Sequence, residues 1–126
     1  IRWSDVDRQG HVNNVSLAGY LQEARILATT SWSPGMRRAG NYLWVVVRQD
    51  IRYRRQVLPT QRSCRVHTAL TRLGTSSMTL AGSIATEEGS ALDAATVLVC
   101  VDPKTGASVP IDDQTRQALS AYLVAV

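Results

Sequence analysis

The fold is decided by the segment Ser4-Asp5-Val6-Asp7-Arg8-Gln9-Gly10-His11-Val12-Asn13-Asn14, a polar loop that leads into a long helix. From Asn14 to about Thr30, apolar residues recur at spacings of three and four, which predicts a helix with one buried face. This face is predicted to carry Leu17, Leu21, Ala24 and Ala28, with Tyr20 and Leu27. Asn13 or Asn14 can cap its start, because a side-chain oxygen can accept from the free backbone N–H groups there. Gly10 tolerates positive φ, so we expect the loop to turn back over the beginning of the helix.

Four strands are predicted after the helix, from alternating or strongly apolar sequence. They cover residues 42–57, 62–73, 77–87 and 92–101, and residues 1–6 are predicted to end an earlier strand. In the first segment, one face is predicted to carry Val47, Ile51, Tyr53 and Val57, and the other Trp44, Val46, Arg48, Asp50, Arg52 and Arg54. A short helix is predicted after Pro110, capped by Asp112 or Asp113, with Ala118, Leu119, Tyr122 and Leu123 facing inward. This order indicates an α+β fold, with an antiparallel sheet wrapped around a central helix and an open edge or face for dimerisation.

Length and composition fit a single domain spanning residues 1–126. The net charge of +4 includes a cluster of arginines in residues 48–65, which can attract a polyanion or simply keep a strand face solvated. Cys64 and Cys100 are not in a metal-binding pattern, and free thiols suit a reducing compartment, so we expect a cytoplasmic protein. Apolar runs are far shorter than the ~20 residues of a membrane helix, so no membrane partner is expected.

The loop and helix together resemble hotdog-fold thioesterases of the 4-hydroxybenzoyl-CoA thioesterase and long-chain acyl-CoA thioesterase type. Their signature is an aspartate, two variable residues and Gly-His-Val-Asn-Asn before the central helix, and here the aspartate is Asp7. The pattern Tyr20-x-x-Glu23-Ala24-Arg25 and the turn Arg72-Leu73-Gly74-Thr75-Ser76-Ser77 also match. The resemblance spans nearly the whole chain. It implies a hotdog fold, hydrolysis of acyl-CoA thioesters, and a homodimer or homotetramer with the site at the subunit interface.

The resemblance also implies roles for individual residues. Asp7 is expected to be the catalytic carboxylate, as general base or nucleophile, and the backbone N–H of Asn14 is expected to polarise the thioester carbonyl. Gly10 and His11 are expected to shape and position the loop. The residues expected to contact the substrate are Val12, Asn13, Tyr20, Ser76, Ser77 and Arg54, the last among arginines that can hold CoA phosphates. No metal or separate cofactor is implied, because CoA is part of the substrate.

Other interpretations of the same residues stay open at this point. Asp7 can be a simple turn aspartate, His11 can be an acid or base, and Asp5 is a second carboxylate that could be taken for the catalytic one. Asp7 is preferred because it begins the Asp-x-x-Gly unit. The alternative activities are a hotdog hydratase or dehydratase acting on acyl-CoA or acyl-carrier-protein, and a non-catalytic acyl-CoA-binding module. No zinc, helix-turn-helix or aromatic-platform pattern supports binding to nucleic acid.

Overall fold

The computed structural model describes residues 1–34 and 42–124. Within these residues, a long helix α1 (Asn14–Trp32) precedes a four-stranded antiparallel sheet, and a short helix α2 (Asp113–Ser120) follows it. The strands are β1 (Leu43–Tyr53), β2 (Arg65–Leu73), β3 (Ser77–Thr86) and β4 (Gly89–Val101), side by side in the order β1-β4-β3-β2. The predicted α+β architecture is confirmed, as is the predicted order of a long helix, four strands and a short helix.

Helix α1 packs mainly on β2 and β3, which places it over one half of the sheet. Its residues Leu17 and Leu21 are buried in the core. Gly82 of β3 faces the helix, and a Cβ at this position would lie 3.1 Å from Leu21 Cδ2. This distance is shorter than an ordinary van der Waals contact, so a side chain at this position would have to displace Leu21. Leu27, predicted to lie on the buried face, is 63% exposed, because it lies about 120° around the helix from Leu21.

A β-bulge at Val47 reverses the predicted faces of the first part of β1. The register with β4 shifts between Val46 and Arg48, so Val47 has no partner of its own. Trp44 and Val46 therefore lie on the helix side with Ile51, and not on the arginine face as predicted. Val47, predicted to face inward, is 57% exposed. The alternation of residue types within one strand cannot reveal this extra residue, because only the partner strand fixes the register.

Two further predictions near the chain ends are corrected. The predicted strand at residues 1–6 is absent, and instead Trp3–Asp5 forms a 3-10 turn. Asp112 caps α2, as predicted, by accepting from the N–H of Thr115 at 2.7 Å. Leu119 is buried, whereas the predicted inward residues Tyr122 and Leu123 are 44% and 47% exposed. The helical periodicity does not reach these two because α2 ends at Ser120.

The two edges of the sheet differ in their backbone pairing. Beside β2, Leu123 forms a parallel bridge with Leu70, and the N–H of Val124 donates to the Leu70 carbonyl oxygen at 2.9 Å. Within the described residues, β1 pairs only with β4, so its other side is open. The exposed aliphatic residues on this strand are Leu43, Val45, Val46 and Val47. An unpaired apolar edge is a surface to which a second chain can add.

Gly82→Val is expected to lower the free energy of unfolding by about 1–3 kcal/mol, the usual cost of overpacking a core, because the new side chain meets Leu21. Urea unfolding followed by circular dichroism measures this change. The control is Gly19→Ala on α1, where an added Cβ meets no atom within 4 Å. This change should raise stability by up to about 1 kcal/mol, because alanine is the better helix former. Unchanged stability of Gly82→Val would contradict the close approach.

Candidate active site

The loop before α1 is a small hairpin held by backbone hydrogen bonds. Val6 and Val12 form an antiparallel bridge, and the N–H of Asp7 donates to the His11 carbonyl oxygen at 2.9 Å. Gly10 has φ of 78°, as predicted, and its N–H donates to the Asp7 carbonyl oxygen at 3.1 Å. The hairpin therefore turns the chain back, so that Asp7 lies opposite His11, shortly before the helix begins.

Two backbone contacts fasten this hairpin to the rest of the molecule. The N–H of Asn13 donates to the Asp5 carbonyl oxygen at 2.7 Å, and the N–H of Val12 donates to the Val57 carbonyl oxygen at 2.8 Å. The Val12 side chain, expected to contact the substrate, is only 1% exposed and lies in the core. Its position supports the loop from beneath and leaves little of its surface for a ligand.

The Asp7 carboxylate is oriented by the loop that carries it. Its Oδ1 accepts from the backbone N–H groups of Gln9 at 2.9 Å and His11 at 3.3 Å. No donor among the described residues reaches Oδ2. The side chain is half-buried. One oxygen is thus fixed by the backbone, while the other is left to interact with water or a substrate.

The start of α1 presents an unoccupied backbone donor. Asn13 caps the helix, as predicted, because its Oδ1 accepts from the N–H of Val15 at 2.8 Å. The N–H of Asn14 has no acceptor among the described residues, and Asn14 is exposed. The first N–H groups of a helix carry the positive end of its dipole. Asn14 therefore offers a donor for a developing negative charge, beside the loop that carries Asp7.

Asp5 anchors this arrangement, a role that the sequence did not reveal. Its carboxylate is buried, with 2% of the residue exposed, and Oδ2 accepts from the Tyr20 hydroxyl at 2.5 Å. The backbone N–H of Arg2 donates to the same oxygen at 2.9 Å, and the Arg2 guanidinium donates to Oδ1 at 3.0 Å. These donors, the Tyr20 hydroxyl foremost, hold the pKa of Asp5 far below its usual range. Asp5 is therefore a buried anion that ties the beginning of the chain to α1.

Tyr20 is the residue of α1 whose hydroxyl donates to Asp5. The residue is half-buried, and burial together with the hydrogen bond to Asp5 raises the pKa of its hydroxyl strongly. Its predicted contact with substrate stays a prediction, because its hydroxyl is already used within the chain. The sequence held no periodic signal for the contact, since Asp5 lies in a turn 15 residues before Tyr20.

His11 lies beside Asp7 in the hairpin. Its backbone N–H donates to Asp7 Oδ1, and its half-buried imidazole has a buried Nδ1 without a partner among the described residues. The backbone contact is consistent with the expected positioning role, which stays a prediction.

Ser76 and Ser77 lie at the opposite end of the sheet from the Asp7 loop. The loop packs through Val12 near Ile84, which is about 23 Å along β3 from Ser77. The Ser76 carbonyl oxygen accepts from the N–H of Cys100 at 2.8 Å. Within one chain these serines and the Asp7 loop therefore lie near opposite ends of β3, and the structure does not bring them together.

Arg54, expected to contact the substrate, forms a surface ion pair with Asp93. Arg48 pairs with Asp50 at 3.0 Å. The other arginines of residues 48–65 have no carboxylate within 4 Å in the described part of the chain, and these are Arg52, Arg55, Arg62 and Arg65. Their charges are therefore more available to a phosphate than that of Arg54.

Neither cysteine extends the site. Cys64 is half-buried and Cys100 is buried; both are free, and burial raises the pKa of both thiols.

Residues 1–34 and 42–124 contain no group of three His, Cys, Asp or Glu side chains placed to hold a metal ion. In the same ranges, no helix has the length and apolar character that crossing a membrane requires.

Residues 1–119 match the family model of the Thioesterase-like superfamily, so the chain belongs to this family and has its hotdog fold. Among sequence relatives, it is 31% identical over 120 residues to the uncharacterised protein YsmA of Bacillus subtilis (strain 168), covering 94% of this chain and 80% of that protein.

Solved structures give the same result. YbaW, a probable thioesterase from Escherichia coli, is 30% identical with a TM-score of 0.80, over 98% of this chain and 95% of that one. A thioesterase from Thermus thermophilus, complexed with coenzyme A and Zn, is 28% identical with a TM-score of 0.79, over 97% of this chain and 88% of that one. The chain is therefore a thioesterase-type hotdog protein.

Tyr20→Phe is expected to lower the Tm at neutral pH by roughly 5 °C, because a charge-assisted hydrogen bond is lost from a small domain. The folded-state pKa of Asp5 lies below its unfolded value of about 3.9. Its contribution to stability is therefore complete above that pH and is lost as the pH falls. In the variant the folded-state pKa rises, so the midpoint of acid unfolding should move to higher pH.

Tyr53→Phe is the matched control, because Tyr53 is 49% exposed and its hydroxyl has no partner among the described residues. Its Tm and acid midpoint should equal those of the wild type. If Tyr20→Phe behaved like Tyr53→Phe, the anchoring role of Asp5 would be refuted.

Proposed function

We propose that the protein hydrolyses acyl-CoA thioesters to the free acid and CoA, with Asp7 as general base or nucleophile. The observation that carries this proposal is the Asp7 carboxylate with one oxygen fixed and the other unoccupied, on a loop bonded to the start of α1. The N–H of Asn14 is the proposed donor to the thioester carbonyl oxygen.

The chemistry needs an activated attack and stabilisation of the oxygen that becomes negative. Asp7 Oδ2 can take a proton from a water that attacks the carbonyl carbon, or can attack that carbon itself. The carbon–sulfur bond then breaks and the CoA thiolate leaves. On the first route the thiolate takes the proton that Asp7 holds; on the second, a water hydrolyses the acyl-Asp7 anhydride, which releases the free acid and restores the carboxylate. One well-placed backbone donor, here Asn14, is worth about 3 kcal/mol of barrier.

The hydrogen bonds to Oδ1 support a catalytic role because they set the carboxylate in place before the substrate arrives. Backbone groups of Gln9 and His11 hold it, so little conformational freedom is lost on reaching the reactive geometry. Asp5 and Tyr20 would then be positioning residues, since they fix the turn that leads into this loop.

The family relationships support the substrate class. Several structural relatives are called thioesterases, and one of them was solved with coenzyme A. In this chain, unpaired arginines among residues 48–65 could bind the phosphates of CoA through charge-assisted contacts. Arg54 could do so only by exchanging its contact with Asp93 for one with a phosphate.

The active unit is proposed to be a homodimer, which can associate further to a homotetramer. The open, apolar edge of β1 supports pairing with a second copy. The distant position of Ser76 and Ser77 also fits a dimer, because a partner's serines could approach a site that a chain's own serines cannot reach.

Asp7→Asn is expected to lower kcat for acyl-CoA hydrolysis by about 10²–10⁴-fold, the usual contribution of a general base. The amide oxygen can still accept from Gln9 and His11, so the loop should keep its shape while the charge is lost. Release of free thiol from a panel of acyl-CoAs of varied chain length measures the effect.

Asp102→Asn is the control, because Asp102 Oδ1 accepts from the N–H of Lys104, two residues later, in a turn outside the site. This variant should retain full activity. Full activity of Asp7→Asn would eliminate the proposed mechanism. Addition of water to an enoyl-CoA without thioester cleavage would instead indicate a hydratase.

Val47→Asp should shift the protein toward monomer, because it places a charge on the open edge of β1. Activity should fall in proportion to the fraction of dimer lost, measured by sedimentation velocity and thiol release on the same samples. His67→Asp, a change at an exposed residue of β2, should alter neither. A fully active monomer would refute the dimeric site.

A further inference from the structure

A cavity of about 380 Å³ lies between α1 and the part of the sheet that α1 leaves uncovered. The helix lies over β2 and β3, so space remains on its other side, beside β1. Most of the wall is apolar, formed by Ile26, Leu43, Trp44, Val46, Met78 and Leu98. The volume is in the range of small-molecule sites.

The cavity has a cationic wall residue that no carboxylate of the described residues neutralises. Arg25 is half-buried, and no carboxylate lies within 4 Å of its guanidinium in the described residues. Burial lowers its pKa, which reflects the cost of holding this charge away from water. The hydroxyl of Tyr42, on the same wall, is occupied by Asp112 and Thr115, and Asp112 is not paired with Arg25.

A second donor on the same wall also lacks an acceptor. The indole Nε1 of Trp44 is buried and has no hydrogen-bond partner among the described residues. A guanidinium and an indole N–H can donate but cannot accept. Because the indole nitrogen is shielded from the cavity, the Arg25 guanidinium is the donor that an anionic oxygen there could reach.

The face of α1 that lines the cavity begins at the proposed reaction centre. Asn14, Ala18 and Gln22 follow one another at a spacing of four, so they lie along one stripe of the helix. Gly19 lies beside this stripe, and no atom lies within 4 Å of a Cβ placed there. Gln22, at the near end of the cavity, is about 12 Å along the axis from Asn14. The same stripe of α1 therefore connects the proposed reaction centre with the cavity.

We propose that the cavity binds the acyl chain of the substrate and that Arg25 binds a carboxylate at the far end of that chain. This inference rests on the proposed function and narrows its substrate to thioesters of dicarboxylic acids. The phosphates of CoA are a second source of anionic oxygen. The apolar wall favours a methylene chain that ends in a carboxylate over a nucleotide diphosphate.

The test compares pairs of acyl-CoAs with equal carbon number that end in a methyl or a carboxylate, from hexanoyl and adipoyl to dodecanoyl and dodecanedioyl. For one chain length or more, the wild type should prefer the carboxylate member in kcat/KM. Arg25→Met should lower kcat/KM for that member by roughly 10- to 100-fold, the usual effect of losing a charge-assisted contact, and change the methyl member little. Arg25→Lys should recover part of the loss.

Binding of non-hydrolysable thioether analogues, followed by calorimetry, separates this inference from the proposed function. If no thioester is cleaved but the carboxylate analogue binds through Arg25, the proposed function fails and the anion site stands. If wild type shows no preference at any chain length, the inference is overturned.

If Arg25→Met lowered kcat/KM equally for the methyl and the carboxylate member, Arg25 would be assigned to the CoA phosphates. This result would also overturn the inference. Lys104→Met, which removes one charge from an exposed turn, should leave the preference unchanged.

Discussion

A buried carboxylate, that of Asp5, sets the geometry on which the candidate site depends. An ionised group can remain inside a protein only when donors surround it, and here Arg2 and Tyr20 supply them. Moving the N-terminal turn away from α1 would take the Tyr20 hydroxyl from that charge, because Tyr20 lies on the helix whereas Arg2 lies in the turn itself. The carbonyl of the same residue accepts from Asn13, the helix cap. The position of Asp7, two residues after this anchor, is therefore fixed relative to the start of the helix.

The sequence predicted what depends on local pattern. Helix α1, the four strands and their order along the chain follow from periodicity. The capping oxygen of Asn13 and the positive φ of Gly10 follow from residue chemistry. The bulge at Val47 could not be predicted, because an extra residue in one strand can be recognised only from its pairing with the neighbouring strand. The hydrogen bond between Asp5 and Tyr20 could not be predicted from the sequence either. It joins a turn to a helix, and no periodic pattern of residues indicates such a contact.

The close approach at Gly82 explains how one fold provides both a core and a cavity. With no side chain on β3 at this point, Leu21 can lie against the sheet, and α1 settles over β2 and β3. The helix is too narrow to cover β1 and β4 as well. The bulge turns Trp44 and Val46 toward the space that remains, so that the uncovered part of the sheet is lined with apolar groups. The cavity is thus a direct result of the off-centre position of the helix.

Leu123 and Val124 lie beside Leu70 at the edge of β2, and this position affects how copies of the protein can assemble. Leu123 and Val124 occupy backbone positions of Leu70 that a foreign strand would otherwise use. A sheet with two free borders can recruit chains on both sides and grow without limit into a fibre, whereas a sheet with one free border stops when two molecules meet. Leu123 and Val124 therefore obstruct such growth along the β2 border at Leu70, whereas the β1 border carries no such obstruction within the described residues.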